Sequence, residues 1–154
     1  MSKSFQLNVD FTGYTHKPGK TLAYITDKGY ELSEQAIVSI NVSKKQAEFN
    51  LQEFAQHISQ GCSFSVGLFK GKRRKTHFIS SQIIGLDFDR GLPQRWHELT
   101  NEPHIIYPSF SHTTEKPKFR ALWLLSEPIY DADSYSARVK GMFKLYPEAD
   151  KACS

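Results

Sequence analysis

Asp87 and Asp89 stand two residues apart at the end of an apolar run, Ile83-Ile84-Gly85-Leu86-Asp87-Phe88-Asp89. On an extended backbone successive side chains alternate between faces, so both acids point one way while Leu86 and Phe88 point the other. Their α-carbons then lie about 6 to 7 Å apart, a spacing from which two carboxylates converge on one or two divalent cations, Mg2+ or Mn2+. An Asp-x-Asp pair alone is more often a solvated strand end, so its surroundings decide its meaning. Lys118 and Arg120 share a face by the same two-residue rule, and two cations there would neutralise a polyphosphate held by such ions. Asp150 follows an apolar helical stretch and is the natural third acid. His112 and its neighbour Ser111 can both donate to a phosphate oxygen. The chemistry that suits this set is displacement at phosphorus, in which one ion activates an attacking hydroxyl and a second binds a triphosphate and its leaving pyrophosphate.

Other chemistries find less support. The five remaining histidines show no metal-ligand spacing, and no His-x-His pair or G-x-x-x-x-G-K-[ST] loop occurs. Cys62 and Cys153 are too few for a disulfide framework or a four-thiolate zinc site and are expected as free thiols. No run of about 18 apolar residues and no charged-then-apolar leader is present, so a cytoplasmic location with no membrane partner is the default expectation. The formal charge of +4 fits a polyanion partner without requiring one. Its distribution is more telling: Lys70, Lys72, Arg73, Arg74 and Lys75 crowd one short stretch, which reads either as a solvated hairpin tip or as a loop contacting a nucleic-acid backbone.

The elements that must position these residues are partly legible. Phe5 to Phe11 and Thr21 to Thr26 look extended, with Lys17-Pro18-Gly19-Lys20 as a turn. Val38, Ile40 and Val42 alternate with polar residues as in a half-buried strand over residues 35 to 42. Ser43 with Gln46 forms a candidate capping box for a helix carrying Leu51, Phe54, Ala55 and Ile58, which Gly61 ends. Residues 63 to 69 and 76 to 80 read as strands joined by the basic stretch. Strands over 83 to 89, 104 to 109 and 119 to 125 follow, with a short helix over 93 to 100 after the first. Asp133 would cap a helix bearing Tyr135, Val139, Met142 and Phe143, and a last strand would begin near Asp150. The sum from residue 83 is β-α-β-β-α-β, the split βαβ pattern, which places the first and third strands side by side and lets Asp87 and Asp89 face side chains from the strand around Arg120. The fold class is α+β, with an N-terminal α/β half over residues 1–80 and an RRM-like, ferredoxin-like half over 81–154.

Three ordered blocks carry a resemblance: Gly85-Leu86-Asp87-Phe88-Asp89; Ser111-His112-Thr113-Thr114-Glu115-Lys116-Pro117-Lys118-Phe119-Arg120 with the Leu125-Ser126-Glu127-Pro128 beyond it; and Ala149-Asp150-Lys151-Ala152-Cys153-Ser154. Over residues 80 to 154 the chain resembles the archaeo-eukaryotic primase superfamily, in particular the primase-polymerase domains of phage, plasmid and related mobile-element replication proteins. The resemblance implies a DNA-templated nucleotidyltransferase, a primase or DNA polymerase serving replication, with Asp87, Asp89 and Asp150 as catalytic metal ligands and His112 as the nucleotide-binding histidine. DNA template and primer, nucleoside triphosphates, and a helicase fused or in trans are the partners it implies. In the family a small hydroxyl residue usually stands two before the histidine. Here that position is Phe110, and Ser111 is adjacent instead. Similar proteins also continue through a further strand, so the chain reads as C-terminally truncated. The alternatives are a non-catalytic RRM-like module that binds single-stranded nucleic acid, and a metal-dependent nuclease.

Overall fold

A computed structural model describes residues 4–13, 45–71, 74–89, 102–109 and 112–151, which divide between two compact units, Met1–Ile79 and Ser80–Ser154. The expected elements over 17–26, 35–42 and 93–100 lie outside the described residues. What is described is α+β, with two helices and two sheets.

The first unit is built on β1 (Ser4–Gly13), which pairs antiparallel with β2 (Lys45–Asn50) on one side and β3 (Cys62–Phe64) on the other. Helix α1 (Leu51–Ser59) follows β2 directly. Its start corrects the expectation at Ser43. The capping box is Asn50 with Glu53, whose side chains and backbone amides exchange hydrogen bonds of 2.9 Å each. Lys45–Asn50 is instead committed to the ladder with β1. Gly61, at φ 76°, provides the stop the sequence suggested, because that left-handed conformation costs glycine nothing. Phe5, Leu7 and Val9 of β1 are buried, as is Phe54 of α1, and the Phe5 and Phe54 rings lie 5.3 Å apart edge to face. The expected strand over 63–69 is two pieces, β3 and β4 (Leu68–Phe69), and buried Asn8 bonds both the segment between them and β4 itself: its backbone carbonyl accepts from the Ser65 amide and its Oδ1 from the Phe69 amide.

The second sheet has the order β4-β5-β7-β6, with β5 Phe78–Phe88, β6 Ile105–Pro108 and β7 Phe119–Ile129, and β7 runs antiparallel to both neighbours. The first and third strands of the predicted split pattern are therefore adjacent. The register of β5 against β7 shifts between Ser81 and Ile83. The Ser81 hydroxyl stabilises the irregularity, accepting from the Ile83 amide and donating to the Ile83 carbonyl. Beyond it, Ile84, Leu86 and Phe88 join Ala121 and Trp123 of β7 against Val139, Met142 and Phe143 of α2 (Ala132–Leu145). Each large side chain buried there contributes about 1.5–3 kcal/mol. Asp131, not Asp133, caps α2: its Oδ2 accepts from the Ser134 amide at 2.8 Å. Asp133 lies in the first turn, where its charge suits the helix dipole.

After α2 the chain turns. The Ala149 amide bonds the Tyr146 carbonyl, and Tyr146 and Ala149 close the end of the core. The strand expected near Asp150 is not formed among the described residues: Pro147 interrupts the backbone donors there, and the path to Lys151 is turn-like.

Candidate functional site

Because Leu86 and Phe88 are claimed by the core, Asp87 and Asp89 emerge on the sheet face that α2 does not cover. Direct register partners on antiparallel strands share a face, and Asp87 pairs with Arg120, which in turn pairs with Tyr107 of β6. The three form a row across three strands. Arg120 Nε donates to Asp87 Oδ1 at 2.5 Å and Nη2 donates to Oδ2 at 3.0 Å, the two-toothed geometry that a guanidinium offers a carboxylate. Its third nitrogen, Nη1, reaches the Tyr107 hydroxyl at 3.4 Å.

The electrostatics follow from that row. Burial works to lower the Arg120 pKa, yet hydrogen bonding and charge from Asp87 and Tyr107 outweigh it and raise the value, so the guanidinium stays charged. Burial is also what raises the Tyr107 phenol above its ordinary value, against the lowering influence of Arg120. Tyr107 is therefore a neutral hydroxyl at physiological pH.

One step further along the strands, Lys118 Nζ lies 3.8 Å from Asp89 Oδ1, a partly exposed pair worth little to stability. The loop leading into β7 is pinned there. The Lys118 amide donates to His112 Nδ1 at 3.0 Å, the Lys116 amide donates to Thr113 Oγ1, and the His112 ring lies 4.7 Å from that of Phe119. An imidazole that accepts at Nδ1 carries its proton on Nε2 when neutral, so His112 is fixed as a donor at Nε2. Asp150 joins from the other side of β5: its amide donates to the Asp87 carbonyl at 2.7 Å.

Thus Asp87, Asp89, Asp150, His112, Lys118 and Arg120 are brought to one end of one sheet. Ser111 lies outside the described residues. So do Lys72 and Arg73 of the basic stretch, while Lys70, Arg74 and Lys75 are exposed on the connection from β4 to β5. The Lys70 amide bonds the His77 carbonyl across that connection, Gly71 turns it at φ 82°, and Lys75–His77 form a short 3-10 turn. Tyr107 was not singled out from the sequence. The available signal was a hydroxylated ring inside an apolar strand.

The carboxylates do not fit a metal ion as placed. Among the described residues no three His, Cys, Asp or Glu side chains are grouped closely enough to hold one, and both Asp87 oxygens accept from Arg120. No helix among the described residues is long and apolar enough to cross a membrane. Comparisons of the chain with protein-family models, with curated proteins and with solved structures found no significant match in any of the three.

Proposed function

We propose that this chain is a nucleotidyltransferase domain of the primase-polymerase kind, joining nucleotides on a DNA template. The observation that carries the reading is the meeting of distant sequence blocks: the Asp87–Arg120 register pair, flanked by Asp89 and Lys118, with the Asp150 amide on the Asp87 carbonyl and His112 on the Lys118 amide. The sheet order agrees with a split βαβ, RRM-like half, in which the third strand lies between the first and second.

In this reading the Nε2–H of His112 donates to a phosphate oxygen of the incoming triphosphate, and Lys118 and Arg120 neutralise its charge. The exposed Lys70, Arg74 and Lys75, with Lys72 and Arg73 between them, hold the template or primer backbone. Asp87, Asp89 and Asp150 are the acids the resemblance assigns to a divalent ion, Mg2+ or Mn2+, although as placed they are not grouped to hold one. The reading belongs to DNA replication, with a helicase as companion and no membrane partner.

A second reading, a non-catalytic binder of single-stranded nucleic acid, draws on Tyr107, an aromatic ring on the same sheet face. Its hydroxyl is engaged by Arg120 and the acids beside it repel a phosphate backbone, which favours the enzyme. Thermal melting separates the two. Joint stabilisation by Mn2+ with a nucleoside triphosphate is expected of the transferase, whereas stabilisation by oligonucleotide alone would select the binder.

A further inference from the structure

The connection from β4 to β5 carries positive charge with no acid nearby in the chain. No Asp or Glu occurs between Glu53 and Asp87, while Lys70, Arg74 and Lys75 stand exposed on that connection. Among the described residues neither Lys70 nor Arg74 has a carboxylate partner. The connection is also anchored at its base. The Phe69 amide donates to Asn8 Oδ1 at 2.6 Å and Gln46 Nε2 donates to the Phe69 carbonyl at 3.3 Å, Asn8 and Gln46 being register partners on β1 and β2. Beyond that grip, the Lys70 amide bonds the His77 carbonyl and the His77 amide bonds the Arg74 carbonyl, each at 2.9 Å. Cations on an anchored connection lose less freedom on meeting a charged partner.

The side chains beside these cations narrow the choice of partner. Residues 70 to 77 include no Phe, Tyr or Trp, and the rings that flank them, Phe69 and Phe78, meet each other edge to face at 5.6 Å. Proteins that hold single strands stack bases on aromatic rings, whereas this connection offers charge alone. Charge alone favours the denser polyanion. A double helix carries one phosphate charge per about 1.7 Å of its axis, and each phosphate neutralised contributes about 0.9 to the salt slope, against about 0.7 on a single strand. We propose that the basic connection between β4 and β5 is a clamp for the backbone of double-helical nucleic acid, engaged without regard to sequence. The clamp rests on the functional reading above for its occupant, the paired primer–template region rather than the unpaired template.

The test follows the fluorescence anisotropy of a labelled mixed-sequence DNA strand, alone and annealed to its complement, across a salt series. Wild type is compared with Lys70→Gln/Arg74→Gln and with Lys140→Gln/Lys144→Gln, which removes the same charge from exposed positions of α2. A melting curve establishes that each variant folds. The clamp predicts that wild type binds the duplex about tenfold more tightly than the strand at about 50 mM salt. Lys70→Gln/Arg74→Gln should lower the duplex slope by about 2 and erase most of that preference, while the α2 variant keeps both. Equal or tighter binding of the single strand would overturn the clamp. Equal losses in the two variants would do the same by revealing a general charge effect, as would binding to vesicles of anionic lipid that Lys70→Gln/Arg74→Gln weakens as much as duplex binding. Primer extension is measured separately. A duplex preference that depends on Lys70 and Arg74 in a protein that extends no primer supports the clamp and removes the functional reading, whereas extension without a duplex preference removes the clamp alone.

Discussion

Asp87 and Arg120 face each other at one register position of neighbouring antiparallel strands, joined by two hydrogen bonds of 2.5 and 3.0 Å. Side-chain exposures of 16% for Asp87 and 37% for Arg120 place the pair between a buried and a surface ion pair. A double-mutant cycle with Asp87→Asn and Arg120→Gln should return a coupling of about 1–2 kcal/mol, above the surface range and below that of fully desolvated pairs. Denaturant melts of the four proteins measure it.

Alkaline stability should depend on Tyr107. Burial raises its pKa above the unfolded value of about 10, so its neutral form is favoured in the fold. That contribution is fully present below about pH 10 and is lost as pH rises through the folded value. Tyr107→Phe should therefore flatten the fall in melting temperature above pH 10, measured against wild type. An equally steep fall in both would count against a buried phenol.

Gly141 lies within α2, and a Cβ built there meets nothing within 4 Å. Gly141→Ala should stabilise the protein by about 1 kcal/mol through helix propensity and the unfolded chain's lost freedom. Asn50→Ala, which removes the cap of α1 and its return bond from Glu53, should destabilise by a comparable amount, about 1 kcal/mol. Chemical denaturation measures both.

The sequence made the strands of the second unit readable where apolar residues alternate, and the helical spacing of Val139, Met142 and Phe143 placed the buried stripe of α2. The adjacency of Asp87 and Arg120 followed from the order of elements, since a split βαβ puts first and third strands together. Boundaries were less readable. Ser43-x-x-Gln46 and Asn50-x-x-Glu53 are both plausible capping boxes, and only pairing of Lys45–Asn50 with β1 selects the second. The ion pair itself was not legible. Arg120 was read as a phosphate ligand because side-chain type reports what a group can bind, whereas its actual partner depends on register and strand pairing. Tyr107 was missed for the same reason: its meaning comes from the strand beside it.

If the basic connection holds nucleic acid, Arg74→Ala and Lys75→Ala should each weaken binding of single-stranded DNA regardless of sequence. Each should also reduce the slope of log affinity against log salt by about 1. Fluorescence anisotropy across a salt series gives both quantities; an unchanged slope would remove this stretch from the interface.

The central claim is that the acids at the end of β5 serve templated nucleotide joining, and primer extension tests it most directly. A labelled primer on a DNA template is incubated with Mn2+ and nucleoside triphosphates, using wild-type protein and a folded Asp87→Ala/Asp89→Ala variant. The account predicts template-directed extension by the wild type and its abolition in the variant. Extension undiminished by the two substitutions, or a wild type that extends no primer, would contradict it.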